Sequence, residues 1–206
     1  GDVFIDMGYE DDSDIYASHL IEVQQDGTGG EIVWEWHVID HLVQDVDEMK
    51  PSFGDVSENW QLLNINVPAG TSGGQGGGGP LDWLHVNGLD YNETLDQIVF
   101  TSRYLSEIFV IDHSTSTMEA ASHEGGNSGM GGDFLYRWGN PDNYDTPGTQ
   151  VIPAATHDAR WIKEGRPNAG WIQIFNNEGG SGGSSTVDAI NAPHDGFVFE
   201  KTEGAQ

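Results

Sequence analysis

Short stretches of alternating apolar and polar residues, separated by turns, run the length of the chain, and helical spacing is nearly absent. His19-Leu20-Ile21-Glu22-Val23 and Glu31-Ile32-Val33-Trp34-Glu35-Trp36 flank the turn Asp26-Gly27-Thr28-Gly29-Gly30, which predicts a hairpin. Farther on, residues 85–91, 97–103, 107–112 and 135–138 predict four successive strands. Turns at 92–96 and 105–106 join the first three, and a longer glycine-rich loop over 123–133 precedes the fourth. The pattern then restarts. Residues 157–163, 171–176 and 187–192 predict three strands, and 197–199 a fourth. Residues 3–6 read as one more strand, ahead of the first hairpin.

The restart is chemical as well as rhythmic. Asp82-Trp83-Leu84-His85 opens the first strand of one set, and His157-Asp158-Ala159-Arg160-Trp161 that of the next. A recurring group of four antiparallel strands is what stacked propeller blades produce. The expectation is an all-β chain, a β-propeller of about two and a half four-stranded blades. A two-sheet sandwich would leave the returning histidine unexplained. The expected organisation is a partial propeller domain over 1–206. It divides into an incomplete blade and loop at 1–66, a glycine-rich loop at 67–80, a complete blade at 81–150 and the following blade at 151–206. Because both ends look arbitrary, the chain is read as a processed or partial piece of a longer protein.

Composition narrows the function. Hydrophobic residues make up only 36% and glycine reaches 29 residues, yet seven Trp, eight Phe and six Tyr supply the bulk for a core. The formal charge of −27 would repel phosphate backbones and anionic membranes, so nucleic acid is excluded as a partner. No cysteine is present, which removes disulfide and thiolate chemistry. No apolar run approaches the length of a membrane span. The glycine-rich run at 73–79 is not followed by Gly-Lys-Ser or Gly-Lys-Thr and so reads as a surface loop. Glu10-Asp11-Asp12-Ser13-Asp14 lacks the spacing of an EF-hand loop and reads as a solvated acidic loop. Asn92-Glu93-Thr94 fits the acceptor pattern for N-glycosylation in a turn.

In a propeller the innermost strand of each blade faces the central channel, so His85 and His157 should converge. Alternation sets His85, Asn87 and Leu89 on one side of their strand, and His157, Ala159 and Trp161 on one side of theirs. Arg103 ends the neighbouring strand, within reach of the same mouth. The set His85, Asn87, Arg103 and His157 is rich in donors and poor in acids, which suits an anion and a nucleophilic imidazole. It suits a metal less well, because a closed site wants three or four ligands and only two histidines are placed to meet. No metal and no cofactor is therefore expected. His113 and His123 read as structural, and Arg137, Arg160, Lys163 and Arg166 as channel-rim or scattered surface charges.

Asp82-Trp83-Leu84-His85-Val86-Asn87, Ser102-Arg103 and His157-Asp158-Ala159-Arg160-Trp161-Ile162 resemble the bacterial arylsulfotransferase family that works without 3′-phosphoadenylyl sulfate. Glu31-Ile32-Val33-Trp34-Glu35-Trp36, Asp40-His41-Leu42-Val43-Gln44-Asp45, Ser106-Glu107-Ile108, Val110-Ile111-Asp112-His113-Ser114-Thr115 and Leu135-Tyr136-Arg137-Trp138-Gly139-Asn140-Pro141 are similar to the same family. Together they cover most of 19–177. The resemblance implies a six-bladed propeller, secreted, periplasmic or extracellular, that moves a sulfuryl group from an aryl sulfate to a phenol through a sulfohistidine. It implies His157 as nucleophile, His85 and Arg103 as catalytic partners binding the sulfuryl oxygens, and Asn87 as a substrate-binding support. The family's further histidine on an earlier blade has no match here, so this piece alone is expected to be inactive. Two other readings stand beside it: a non-catalytic secreted propeller that binds or scaffolds, and a calcium-stabilised acidic structural protein. Small aryl sulfates and phenols are the expected partners, and a homo-oligomer or larger assembly is compatible with the chain.

Overall fold

The computed structural model describes residues 2–10, 15–67, 82–146 and 155–199. It is all-β, with two short helices. Helix α1 (Asp2–Asp6) is followed by β1 (His19–Asp26) and β2 (Gly29–His37), which pair as an antiparallel hairpin with His19 opposite His37. Next come β3 (Leu42–Val43) and β4 (Leu63–Asn64), a short parallel pair. Strands β5 (Val86–Asn92), β6 (Gln97–Ser102), β7 (Glu107–Asp112) and β8 (Phe134–Trp138) form an up-and-down four-stranded sheet, with α2 (Thr117–Ala120) between the last two. Strands β9 (His157–Trp161), β10 (Ile172–Asn176) and β11 (Thr186–Ile190) form a three-stranded sheet. A last small hairpin joins β12 (His194–Asp195) to β13 (Val198–Phe199).

The four-stranded sheet is buried on both faces, which is why β6, β7 and β8 are buried at every position. One face carries Ile98, Phe100, Phe109, Ile111 and Phe134, packed with Trp34 and Trp36 of β2. The other carries Val99, Ile108, Val110, Tyr136 and Trp138, packed with Ala159, Trp161, Ile172 and Ile174 of the next sheet. Alternation along each strand serves two cores, and each buried large side chain contributes about 1.5–3 kcal/mol. A bidentate ion pair sits at the edge of this packing. Arg137 Nη2 donates to Glu107 Oε2 at 2.7 Å and Arg137 Nε to Oε1 at 3.1 Å, with both side chains essentially inaccessible. The guanidinium also stacks 4.2 Å from the Tyr144 ring and donates to the carbonyls of Trp60 and Leu62. Arg137 therefore pins the 60–62 loop to the sheet and is no channel-rim charge. Arg160 is exposed and paired with Asp158.

Two strand expectations are corrected. Residues 3–6 are helical: Met7 N–H bonds back to the Val3 carbonyl at 3.2 Å. The turn of helix buries Phe4 alone against the edge of Trp83, 5.8 Å between centroids, and leaves Val3 exposed. Residues 197–199 do not extend the last sheet. Gly196 at φ +60° makes a two-residue hairpin loop that returns Val198 and Phe199 onto His194 and Asp195. Phe199 then packs on Tyr136 of the preceding sheet at 5.2 Å. The 67–80 loop lies, apart from Val67, outside the described residues, as does all of the 10–14 acidic run except Glu10.

Candidate active site

Strands β5 and β9 are the first strands of their sheets and pack side by side. They approach so closely at Gly88 that an added Cβ would fall on the Asp158 backbone, and Gly88 itself has φ +50°. A register shift between Asn87 and Leu89 marks the same place. The regular alternation expected for His85, Asn87 and Leu89 is therefore interrupted at Gly88.

This contact brings the two histidines together. The rings of His85 and His157 meet edge-on with centroids 6.3 Å apart. His85 has φ +49°, and near His157 the chain passes through Ala155 at φ +51° and Asp158 at φ +59°. Non-glycine residues in the left-handed region cost on the order of 1–3 kcal/mol and gather at functional sites.

Each imidazole has one nitrogen engaged. His85 Nδ1 bonds to Asp82 Oδ2, and both side chains are more than one-third exposed. His157 Nδ1 lies 2.9 Å from the Ala155 carbonyl and 2.7 Å from the Asn177 amide nitrogen, which itself donates to the Ala155 carbonyl. The Ala155 carbonyl can only accept and the Asn177 amide nitrogen can only donate, so Nδ1 is engaged whichever ring nitrogen carries the proton, and among the described residues Nε2 forms no hydrogen bond.

Arg103 follows β6, and its N–H donates to the His85 carbonyl at 3.3 Å. Its guanidinium lies 5.4 Å from the Tyr104 ring centroid, and Tyr104 packs 5.1 Å from the His85 ring. Among the described residues no carboxylate forms an ion pair with Arg103. Asn87 is turned toward its own sheet: Nδ2 donates to the His85 carbonyl at 3.1 Å and Oδ1 accepts from the Thr101 hydroxyl at 2.8 Å. It braces the His85 backbone. A groove of about 480 Å³ opens beside this set, lined by His19, Asp82, His85 and Asn87 among others.

Asp82, Tyr104 and Asn177 were missed as site residues in the sequence. Asp82 could have been found, because it stands three residues before His85 in the same motif. Asn177 follows β10, whose Phe175 lies opposite His157, so a correct pairing register would have pointed to it.

A family model described as Arylsulfotransferase (ASST) matches residues 4–192. The chain belongs to the arylsulfotransferase family. At the level of the family this makes sulfuryl transfer involving aryl sulfates the relevant chemistry. No curated protein and no solved structure was found to match the chain significantly. Among the described residues no helix is long and apolar enough to cross a membrane.

Proposed function

We propose that the protein transfers a sulfuryl group from an aryl sulfate to a phenolic acceptor through a sulfohistidine at His157. The observation that carries this reading is the pinned Nδ1 of His157, which leaves Nε2 as a nucleophile beside a second imidazole. In the first step the Nε2 lone pair attacks sulfur, an N–S bond forms and the S–O bond to the aryl group breaks. The phenolate leaves with the electron pair and takes a proton from His85. In the second step an acceptor phenol gives its proton to His85 while its oxygen attacks sulfur, and the N–S electrons return to Nε2. Arg103 offsets the charge that gathers on the sulfuryl oxygens, and Asn87 holds the backbone that carries His85.

The same reading takes the four-stranded and three-stranded sheets as consecutive propeller blades, supported by the packing of β5 along β9. It also takes the protein to lie outside the cytoplasm, as the resemblance to exported arylsulfotransferases implies. Cell fractionation tests the location, and recovery with cytoplasmic markers alone would overturn it.

The transfer is tested by intact-mass measurement before and after brief exposure to an activated aryl sulfate at neutral or alkaline pH. A gain of one sulfuryl group, discharged by phenol and absent in His157→Ala, is expected. The full-length, folded wild-type protein gaining no mass, or its His157→Ala variant gaining the same mass, would overturn the proposal.

A further inference from the structure

A second cluster lies on the opposite core of the four-stranded sheet, in the loops around α2, and the mechanism above makes no use of it. His41 is completely buried and stacks flat on Trp36, with 5.4 Å between centroids and 3° between planes. Its Nε2 lies 2.8 Å from the Ala120 carbonyl and its Nδ1 lies 2.8 Å from Asp133 Oδ1. His123, on the glycine-rich loop, puts its own Nδ1 2.8 Å from the same Asp133 oxygen. The two nitrogens and the carboxylate oxygen lie within 4.8 Å of one another.

Donor counting shows what this arrangement lacks. The Ala120 carbonyl can only accept, so His41 Nε2 carries a proton and donates it. In the neutral ring Nδ1 then presents a lone pair to a carboxylate oxygen, which also only accepts. An electrophile belongs between them. A proton in that place makes His41 a buried cation beside Asp133 and leaves His123 Nδ1–H to donate to the same oxygen. A metal ion uses all three atoms. An imidazole whose far N–H is held by a backbone carbonyl is the usual support of a metal-bound histidine, because it sets the tautomer and aims the lone pair.

The loop is shaped for the convergence. Gly125, Gly126 and Gly131 have positive φ, and the chain curls so that Gly132 N–H bonds to the Ser122 carbonyl at 3.0 Å. At Gly132 a Cβ would meet His41 Nε2 at 2.7 Å and collide with the Ala120 carbonyl. Trp36 Nε1 donates to the Gly132 carbonyl at 2.7 Å, which fixes the turn from below.

We propose that His41 Nδ1, His123 Nδ1 and Asp133 Oδ1 bind one zinc-class divalent ion, with water on the exposed His123 side as fourth ligand. Two imidazoles and one carboxylate suit zinc better than calcium or magnesium, which prefer all-oxygen shells. Bond lengths of about 2.0–2.2 Å would open the present contacts by roughly half an ångström, a shift the exposed His123 side chain can absorb. In a chain without cysteine the ion would staple the segment after β2, the glycine-rich loop and the start of β8, where a disulfide has no place.

The test is calorimetric titration of chelator-stripped protein with zinc chloride, alongside thermal unfolding with and without the metal. His41→Ala would empty a core position, so His123→Ala, whose side chain is 59% exposed, is the informative variant. One equivalent should bind and raise the unfolding temperature of the wild type. The affinity should fall at least about 10-fold in His123→Ala, and hold in His194→Ala, an exposed histidine on the β12–β13 hairpin. No binding by the folded wild type, or equal binding by His123→Ala, would overturn the site.

Discussion

His85 and His157 meet edge-on across the β5–β9 contact, and each ring is held at Nδ1 by different partners. His157 is engaged at Nδ1 by the Ala155 carbonyl and the Asn177 amide nitrogen. His85 is held at Nδ1 by the Asp82 carboxylate. On the proposed mechanism, one imidazole attacks and the other carries the proton.

Replacing the attacking ring should therefore stop the reaction outright. His157→Ala is expected to lower turnover by at least about 10³-fold while leaving the unfolding temperature within a few degrees of the wild type. Steady-state assay with an activated aryl sulfate, paired with thermal unfolding, separates lost chemistry from lost fold. A variant retaining a tenth of the activity would remove His157 from the nucleophile's role.

The Asp82–His85 pair should matter in proportion to how badly the leaving phenolate needs a proton. Asp82→Asn is expected to slow transfer from poorly activated aryl sulfates by about 10²-fold or more, and from strongly activated ones much less. The readout is the dependence of rate on the acidity of the departing phenol. An equal loss across the series would assign Asp82 a purely structural role.

Gly88 controls the distance between the two rings. Gly88→Ala puts a Cβ against the Asp158 backbone at a φ of +50°, so β5 and β9 must part. A stability loss of about 1–3 kcal/mol is expected, with an activity loss near 10²-fold because small misplacements of reacting groups are that costly. Denaturant unfolding and turnover measured together check both, and wild-type activity would show that the close approach is dispensable.

Breaking the Glu107–Arg137 pair should cost more than any exposed ion pair. Glu107→Gln leaves a buried guanidinium without its counter-charge, and a loss of about 3–5 kcal/mol in urea unfolding is expected. A change below 1 kcal/mol would mean that the carbonyls of Trp60 and Leu62 carry Arg137 unaided.

Alkaline pH should weaken the same region. Burial, reinforced by the charge of Glu107, pushes the Tyr144 phenol up to about 12, and burial raises Tyr136 as well. An unfolded tyrosine ionises near 10, so the neutral folded ring contributes its full stability below that pH. The contribution is lost as pH rises from about 10 toward 12, because only the unfolded chain can release the proton. Stability followed by circular dichroism should fall across that window, and Tyr144→Phe should shrink the fall. An identical fall in the variant would exclude Tyr144 as a cause.

Much of this protein is settled by local pattern. The alternation along β1, β2, β5–β8 and β9–β11 is a period of two that any backbone of this sequence must express, and strands and hairpins follow from it. The motifs around His85, Arg103 and His157 also carried the family, because their order along the chain is specific. What local pattern could not hold was anything decided by a partner distant in sequence. Residues 3–6 alternate well enough for a strand, yet burying Phe4 on Trp83 made them helical. Arg137 looked like a surface charge until Glu107 enclosed it. Asn87 is bonded within its own sheet, to the His85 carbonyl and the Thr101 hydroxyl, partners that the sequence did not show. His41, His123 and Asp133 come together only once two loops fold over the same sheet. Periodicity is a property of neighbours along the chain, whereas a site is a property of neighbours in space, and packing alone decides which residues those are.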